Sequence, residues 1–596
     1  MGFSDLGCYG GEIKTPTIDR LASDGVRFTQ FYNCAICGPS RASLMSGCYP
    51  WRVGQAPGQS IFRNLKRNCV TVMQLLKANG YETCAVGRLD MVTADDWHDP
   101  AQVAKAVDRF LGSASGSPGN YFKEVKGTDF RTHPKGTPWF KDGKRWDRPE
   151  GPYSTDLISD FVAEFIEGSA GSDKPFFIYV SHYAPHWPLQ AKEEHIAFYR
   201  KLYQKHDRKT LMEARLQRQI SAGLIPKGTT LHDSMVSAKP AAGGYLAIER
   251  MAIHAAMVES IDRSLADTMA ALKKADKLDN TLILVLSDNG ASHQMAFDNG
   301  RKVPSGVRPG SMNTFLNQGP AVAALSNTPF RNYKTSDYEG GIASPLIAWW
   351  PRGLKNKGRI SHRLSHIADI MTTCLELAGV SYPSEFQGRD IIPLTGMSFV
   401  PVLRGLEREQ NAHRVLAFPK AVRDGDWKLV MQNAAHPELY RVSQDRNEKK
   451  SLAAEFPDRV QKMKKLHAGD RSIQRRWRYQ ARVVSVERID LRASGHRVSR
   501  RSELTASGHG SASGAASSFP VRGGVRFFHA LSDARLRVLL DPAVGQQRFK
   551  LLRRGLLDAP QNVDQIGLHV NRMAFAGHHQ GEERGRRFSA LLVAEE

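Results

Sequence analysis

The 596-residue sequence has no apolar run of 18 or more residues, which argues against a transmembrane helix and a membrane partner. It also has no recognisable signal peptide, because the opening Met1–Asp5 carries neither a basic residue nor an apolar stretch. Cysteine is scarce. The seven cysteines form no zinc pattern, although Cys34 and Cys37 make one C-x-x-C, where a redox or metal pair stays possible. We expect most of the other cysteines to be small buried residues.

Acidic residues are fewer than basic ones, and the difference is uneven along the chain. The net charge is +23, but residues 471–596 hold 22 Lys and Arg against 11 Asp and Glu, with Lys550 as their single lysine. Residues 1–470 keep 61 basic and 49 acidic residues, which is weak support for an anionic substrate. A nucleic-acid partner would depend on the arginine-rich tail alone, so none is expected.

Continuous apolar runs alternate with helical periodicities along residues 1–400. The runs at 176–180, 281–286 and 346–350 do not alternate with polar residues, which is typical of strands buried on both faces. We therefore predict an α/β fold with a largely parallel mixed sheet flanked by helices. In such sheets the chemistry lies beyond the carboxyl ends of the strands.

Two further regions follow this predicted catalytic domain. Residues 401–470 contain a hairpin pattern that turns at Asp424-Gly425, which predicts a small antiparallel subdomain. Residues 471–596 are rich in arginine and include a Ser/Ala/Gly stretch, so we predict a disordered or loosely ordered extension.

A first candidate site is the segment Cys37-Gly38-Pro39-Ser40-Arg41. A cysteine at the beginning of a helix lies where backbone N–H groups and the helix dipole favour an anion. Arg41, four residues later, could hold that anion. From these residues alone, a buried thiol before a capped helix is the better explanation of the pattern.

Three more candidates share this ambiguity. Asp288-Asn289 ends a predicted strand and offers two oxygen ligands for a hard cation, or simply makes a turn. His186, in Ala184–Leu189, could protonate a leaving group, or be structural. Lys334, before Gly340-Gly341, could bind an anion, or be a solvated lysine.

Taken together, these motifs resemble the type I sulfatases of the alkaline phosphatase superfamily. Cys-x-Pro-Ser-Arg is the sulfatase signature, and the similarity covers about residues 1–468. The resemblance implies a sulfuric ester hydrolase, arylsulfatase-like, in which a maturation enzyme oxidises Cys37 to formylglycine (3-oxoalanine). The hydrated aldehyde then attacks sulfur, so catalysis is covalent. It also implies a sulfated small molecule or glycan as substrate.

The resemblance assigns roles to the remaining candidates. Asp288 and Asn289 would ligate calcium. Arg41 and Lys334 would balance charge on the sulfuryl oxygens, and His186 would protonate the departing alcohol. Family members are usually exported, but the location of this protein stays open.

The sequence departs from the family pattern in three places. The family's first strand, which ends in Asp-Asp and supplies two calcium ligands, is missing before Gly2. The family's Lys-x-His is replaced by Arg88-Leu89-Asp90, and its Gly-Arg by Gly47-Cys48. Losing a central strand would expose sheet edges.

Two explanations for the missing strand lead to different functions. If the true start lies upstream, the protein is an active sulfate-ester hydrolase. If the chain is a decayed relative, with a frameshift near residue 468, it is a catalytically dead remnant that at most binds sulfated ligands. A phosphoester hydrolase is less consistent with the sequence, because metal-binding histidines are not evident.

Overall fold

The computed structural model describes residues 1–54, 68–89, 106–113, 119–123, 138–239, 245–295, 303, 305–406, 414–469 and 588–595, all within one structural unit. The strands are β1 (Val26–Tyr32), β2 (Glu82–Arg88), β3 (Arg109–Ser113), β4 (Trp139–Lys141), β5 (Lys144–Trp146), β6 (Phe176–Ser181), β7 (Thr281–Ser287), β8 (Ala343–Trp349), β9 (Arg359–Ser361), β10 (Ser365–His366), β11 (Val415–Phe418), β12 (Ala421–Asp424), β13 (Trp427–Val430), β14 (Glu438–Arg441) and β15 (Ser589–Glu595).

Helices cover both faces of the larger sheet. They are α1 (Pro16–Asp24), α2 (Cys37–Ser46), α3 (Val72–Ala78), α4 (Ser154–Gly168), α5 (Glu193–Tyr203), α6 (Arg208–Ser221), α7 (Asp233–Val236), α8 (Tyr245–Lys274), α9 (Gly319–Ser326), α10 (Glu339–Ile342), α11 (Asp369–Ala378), α12 (Val400–Leu403) and α13 (Pro457–Gly469). Among the described helices, none has the length and apolar character needed to cross a membrane.

Local signals in the sequence set several helix ends. α1 begins after Thr15 with a proline in its first turn and ends before Gly25. α3 begins with a capping box, in which the Thr71 hydroxyl accepts from the Gln74 N–H and the Gln74 side chain accepts from the Thr71 N–H. α13 begins at Pro457, because proline is tolerated in the first turn of a helix.

The larger sheet is mixed, as predicted, and its centre is parallel. Among the described residues it has eleven strands in the order β10-β1-β8-β7-β15-β6-β2-β3-β4-β5, with β9 also paired to β1. The strands β7, β15, β6, β2 and β3 run parallel to one another, whereas β8 is antiparallel to both of its neighbours. The parallel strands therefore end at one edge of the sheet, where β6 leads into the His186 loop and β7 into Asp288.

The central strand β15 comes from the far end of the chain. Its residues pair with β6 from Ala590–Phe177 to Ala594–Ser181, and with β7 from Ser589–Thr281 to Glu595–Ser287. The family's first strand is absent before Gly2, as expected, but its absence does not leave β6 and β7 with open edges, because a distant apolar segment pairs with both. The prediction of a disordered or loosely ordered extension over 471–596 is therefore wrong for residues 589–595, which form a strand. The rest of the predicted extension, residues 471–587, lies outside the described residues.

Two apolar cores lie on opposite faces of this sheet. One contains residues of α1, α4 and α8, such as Ile18, Ile158 and Ile253. The other contains residues of α2, α3 and α11, such as Leu44 and Leu75. Since successive strand residues point to opposite faces, each central strand contributes to both cores.

The predicted antiparallel subdomain is present as a four-stranded sheet in the order β11-β12-β13-β14. Its β12–β13 hairpin turns between Asp424 and Trp427, as predicted. A buried ion cluster joins it to the main body, since Lys428 on β13 lies 2.8 Å from the carboxylates of both Glu339 in α10 and Glu448.

Candidate active site

Cys37 and Arg41 lie on one helix, at the edge of the sheet where the parallel strands end. Cys37 is the first residue of α2, and Ile36 before it is extended. Both Cys37 and Arg41 are buried, and Arg41 follows one turn later on the same helix. The sequence prediction that this cysteine lies at a helix N-terminus is therefore confirmed. Such a position favours negative charge on or beside residue 37.

Arg41 links three elements that end at this edge. Its Nε donates to Asp288 Oδ2 over 2.7 Å, and its Nη1 donates to the Arg88 carbonyl over 2.5 Å and to the Ser181 hydroxyl. The side chains of Arg41 and Asp288 are both fully buried. A buried ion pair of this kind is costly to break, because one charge would be left uncompensated. Arg41 therefore holds the ends of β2, β6 and β7 in a defined arrangement.

A second guanidinium lies beside the candidate nucleophile. Arg88 Nη2 is 3.5 Å from Cys37 Sγ, and the Arg88 side chain is buried. The Arg88 carbonyl also accepts from the Ser181 hydroxyl over 2.6 Å, which fixes the end of β2. Arg88 thus places positive charge at residue 37. Asp90, the other departure noted in this segment, lies outside the described residues.

Asp288 and Asn289 follow β7 and are buried. Asp288 Oδ2 accepts the hydrogen bond from Arg41, and Asn289 Nδ2 donates to the Gly290 carbonyl over 3.0 Å. Asp288 Oδ1 and Asn289 Oδ1 have no hydrogen-bond partner although both are buried. Two adjacent, unsatisfied oxygens fit a hard cation such as calcium as part of its ligand set. In the part of the chain that the structure describes, no group of three or more His, Cys, Asp and Glu residues could hold a metal.

Lys334 lies on a loop that is bonded to both preceding segments. The Lys334 N–H donates to the Ala291 carbonyl over 3.1 Å, and the Thr335 N–H donates to the Ala35 carbonyl over 2.8 Å. Lys334 is buried. The pKa of the nearby His293 is lowered mainly by the burial of His293 and also by the positive charge of Lys334. The loop therefore holds a third cation close to the end of β7.

His186 is placed by the loop that follows β6. Its Nδ1 lies 2.7 Å from the Trp187 carbonyl oxygen, and its ring lies 4.4 Å from the Trp187 ring. The Tyr121 hydroxyl donates to the His186 carbonyl over 2.9 Å. His186 is buried, with 9 % of its surface exposed. Its connection to the Cys37 group runs through β6, whose last residue Ser181 contacts Arg41.

Sequence reasoning missed the contributions of Ser181 and β15. Ser181 was visible only as the last residue of an apolar run, and nothing in its neighbours indicated a contact with Arg41. β15 lies in an arginine-rich tail, so its pattern did not stand out. A signal was nevertheless present, because Phe588–Ala594 is an apolar run of strand length that ends in two acidic residues.

The arrangement combines a buried thiol residue, three cations and two unsatisfied oxygens at one sheet edge. Such a group of charges is suited to a multiply charged anion with oxygen atoms on several sides.

Comparison with known proteins identifies the relatives of this chain. A family model described as Sulfatase matches residues 1–380. An uncharacterized sulfatase of Schizosaccharomyces pombe is 28% identical over 77% of this chain and 89% of its own length. The arylsulfatase of Klebsiella aerogenes is 26% identical over 69% of this chain and 92% of its own length. The N-acetylgalactosamine-6-sulfatase of Canis lupus familiaris is 26% identical over 66% and 63%.

Solved structures share the fold. Ps i-CgsB, solved in complex with k-i-k-neocarrahexaose, has a TM-score of 0.56 with 24% identity, covering 78% of this chain and 88% of its own. A protein solved with its substrate D-glucosamine-2-N,6-O-disulfate has a TM-score of 0.52 with 19% identity, covering 79% and 95%. At these identities the similarity establishes the architecture of the sheet and helices.

Proposed function

Since this chain belongs to the sulfatase family, we propose that it hydrolyses sulfate monoesters at the site around residue 37. The observation that carries this proposal is the Arg41 network. It connects the helix of Cys37 to Ser181 and to Asp288, while Arg88 lies 3.5 Å from Cys37 Sγ. The reaction would break the S–O bond of the ester and release an alcohol and sulfate.

The proposed chemistry needs two groups besides the unmodified side chains. Formylglycine made from Cys37 would supply the nucleophilic hydroxyl. Asp288 and Asn289 would hold calcium, which would supply positive charge for the sulfuryl oxygens. The two unsatisfied oxygens support the assignment of Asp288 and Asn289 as calcium ligands. The remaining ligands of a six- to eight-coordinate ion have to come from other groups.

The side chains of this protein would prepare the site for that chemistry. Arg41 would hold Asp288 Oδ2, so that Oδ1 faces away from the ion pair, and it would add positive charge near residue 37. Arg88 would stabilise negative charge at residue 37, and Lys334 would bind a sulfuryl oxygen. His186 would hold the proton that the departing alkoxide needs.

The names of the relatives indicate a substrate class. N-acetylgalactosamine-6-sulfatases are similar in sequence, and structures solved with k-i-k-neocarrahexaose and with D-glucosamine-2-N,6-O-disulfate share the fold. We therefore expect a sulfated sugar or glycan to be the substrate, and a formylglycine-generating enzyme to be a maturation partner. An aryl sulfate is the convenient test substrate, since an arylsulfatase is also among the relatives.

The test begins with the modification of Cys37. The protein is produced together with a formylglycine-generating enzyme, and the tryptic peptide from Phe28 to Arg41 is weighed by mass spectrometry. We expect the mass loss of a thiol that becomes an aldehyde, and hydrolysis of an aryl sulfate with calcium. Cys37→Ala should abolish hydrolysis, and Cys34→Ala, a buried cysteine nearby, should retain it. An unmodified Cys37 would leave the alternative, a non-catalytic protein that at most binds sulfated ligands.

A further inference from the structure

β15 separates two strands that have no pairing with each other. β6 and β7 each pair with β15, in parallel, over five and seven residue pairs. Without β15, both strands would present an unpaired edge at the centre of the sheet. Edges of this kind bind other strands readily, because a row of N–H and C=O groups is left open. The space between β6 and β7, which we call the slot, therefore fits one extended segment.

The side chains of β15 fit the apolar cores on the two faces of the sheet. Leu591 and Val593 belong to the core on one face, and Ala590, Leu592 and Ala594 belong to the core on the other. All five are at most 2 % exposed. This alternation fixes the register, because a shift by one residue would exchange the two sets of side chains.

Contacts beyond the strand ladder hold both ends of β15. At its start, the Phe588 ring lies 5.7 Å from the Trp350 ring and 6.1 Å from the Tyr81 ring. The Phe176 N–H donates to the Ser589 hydroxyl over 3.1 Å. At its end, the His182 N–H donates to the Ala594 carbonyl over 3.2 Å. These contacts give the slot a specificity for this sequence as well as for an extended backbone.

The width of the slot bears directly on the candidate active site. Neighbouring strands lie about 4.8 Å apart, so one inserted strand separates β6 from β7 by roughly twice that distance. Arg41 spans this separation, because it contacts Ser181 at the end of β6 and Asp288 after β7. If β6 and β7 collapsed onto each other or separated, one of the two contacts would be lost.

We propose that the slot is a specific binding site for residues 588–595 of the same chain, and that insertion of this strand assembles the Arg41 site. The segment is the last part of the described chain, and residues 470–587 join it to the body. Binding to the slot is independent of the proposed reaction, whereas the effect on the site rests on the proposed function.

The experiment cuts the folded, full-length protein. A specific protease site is placed within residues 570–580, and the protein is purified and then cleaved. A fluorescent peptide with the sequence of residues 585–596 is added in sub-denaturing urea, which is then removed. A control peptide carries Leu591→Asp and Val593→Asp. Incorporation is measured by native mass spectrometry and by the fluorescence that co-migrates with the body.

We expect one wild-type peptide to be incorporated per body, and the control peptide to bind more than about 100-fold more weakly, because it would bury two unpaired charges. Equal binding of both peptides, or no incorporation of the wild-type peptide, would overturn the proposal. A dimer of the uncut protein that exchanges these strands would overturn the assignment to the same chain.

The link to the site is measured on the same samples. Aryl sulfate hydrolysis should be lost when the control peptide replaces the native fragment and return with the wild-type peptide. Full hydrolysis with the slot empty would overturn the link. If the wild-type peptide is incorporated but neither the uncut protein nor the complex hydrolyses the ester, the proposed function fails while the slot stands.

Discussion

At the scale of single residues, the network around Arg41 depends on the shape of the arginine side chain. Its guanidinium donates in different directions to Asp288, to the Arg88 carbonyl and to Ser181. A lysine has one ammonium group and cannot reproduce this planar, forked geometry. The positions of Asp288 and residue 37 relative to each other therefore depend on Arg41.

We predict that Arg41→Lys lowers kcat/KM for an aryl sulfate by about 100-fold in the formylglycine form, the order expected when an oriented charge is lost from an active site. Steady-state kinetics with calcium measures the effect. Arg404→Lys, at an exposed position, is the matched control and should leave kcat/KM unchanged. A loss of less than about threefold for Arg41→Lys would show that the network is dispensable.

The unsatisfied oxygen of Asn289 allows the calcium ligand to be tested without an assay of activity. A buried acceptor without a partner costs about 1–3 kcal/mol, so its removal offsets the loss of the Asn289 bond to Gly290. Asn289→Ala should leave the Tm of the metal-free protein nearly unchanged and abolish most of the rise in Tm with calcium. Differential scanning calorimetry measures both, with Asn433→Ala, an exposed asparagine, as control. A full calcium effect in Asn289→Ala would exclude this ligand.

At the scale of elements, the joint between the two sheets depends on buried charge. Lys428 is fully buried and is 2.8 Å from both Glu339 and Glu448. We predict that Lys428→Met lowers the free energy of unfolding by roughly 3–5 kcal/mol, because two carboxylates lose their shared cation. Urea denaturation measures this, and the exposed Lys462→Met should have almost no effect. Equal midpoints for the two variants would contradict it.

A second group at this joint makes stability depend on pH. Burial raises the pKa of Asp337 to about 6, although the Lys420 N–H donates to its carboxylate. Because the folded pKa is above the usual 3.8, the stabilisation by Asp337 is complete below about pH 3.8 and is lost as the pH rises through 6.

Asp337→Asn should therefore be more stable than the parent at pH 8, by up to about 3 kcal/mol, and similar to it at pH 4. Thermal unfolding at both pH values measures the difference. Asp390→Asn, at an exposed position, should show no such dependence. A variant less stable than the parent at pH 8 would mean that the charged carboxylate is stabilising.

An element could be predicted from the sequence when its signals lie within a short stretch of residues, and not when it depends on contacts with distant segments. α1 and the Cys37 helix begin at local signals, and β6 and β7 are uninterrupted apolar runs, so short windows were sufficient. β15 has an apolar run of strand length, but that run does not identify its partners, which lie hundreds of residues away in the sequence. The contact of Ser181 with Arg41 likewise depends on strand order, which no local pattern specifies.

At the scale of the whole molecule, the first residue of the chain lies close to the end of β15. The Ser287 hydroxyl donates to the Met1 carbonyl over 3.0 Å, and Glu595 is paired with the same Ser287. The end of β15 and Met1 therefore lie beside one residue. The family pattern has a strand that ends immediately before Gly2, and in this structure the end of β15 lies near Met1, although β15 comes from the other end of the sequence.

This proximity predicts that a rearranged chain will fold. Residues 588–596 would be joined directly ahead of Met1, followed by residues up to 469, with 470–587 removed. Chains tolerate such permutation when the joined ends are close, and a short connection has a lower entropic cost of closure than a long one. We expect near-UV circular dichroism like that of the parent and a Tm that is equal or higher.

The control is the same rearranged chain with Leu591→Asp and Val593→Asp, which should fail to form the native spectrum because both side chains lie in the core. A rearranged chain that does not fold, under conditions where the parent does, would mean that residues 470–587 contribute more than a connection. A rearranged chain that folds and hydrolyses aryl sulfates would show that the strand acts by its position in the sheet, whichever end of the sequence supplies it.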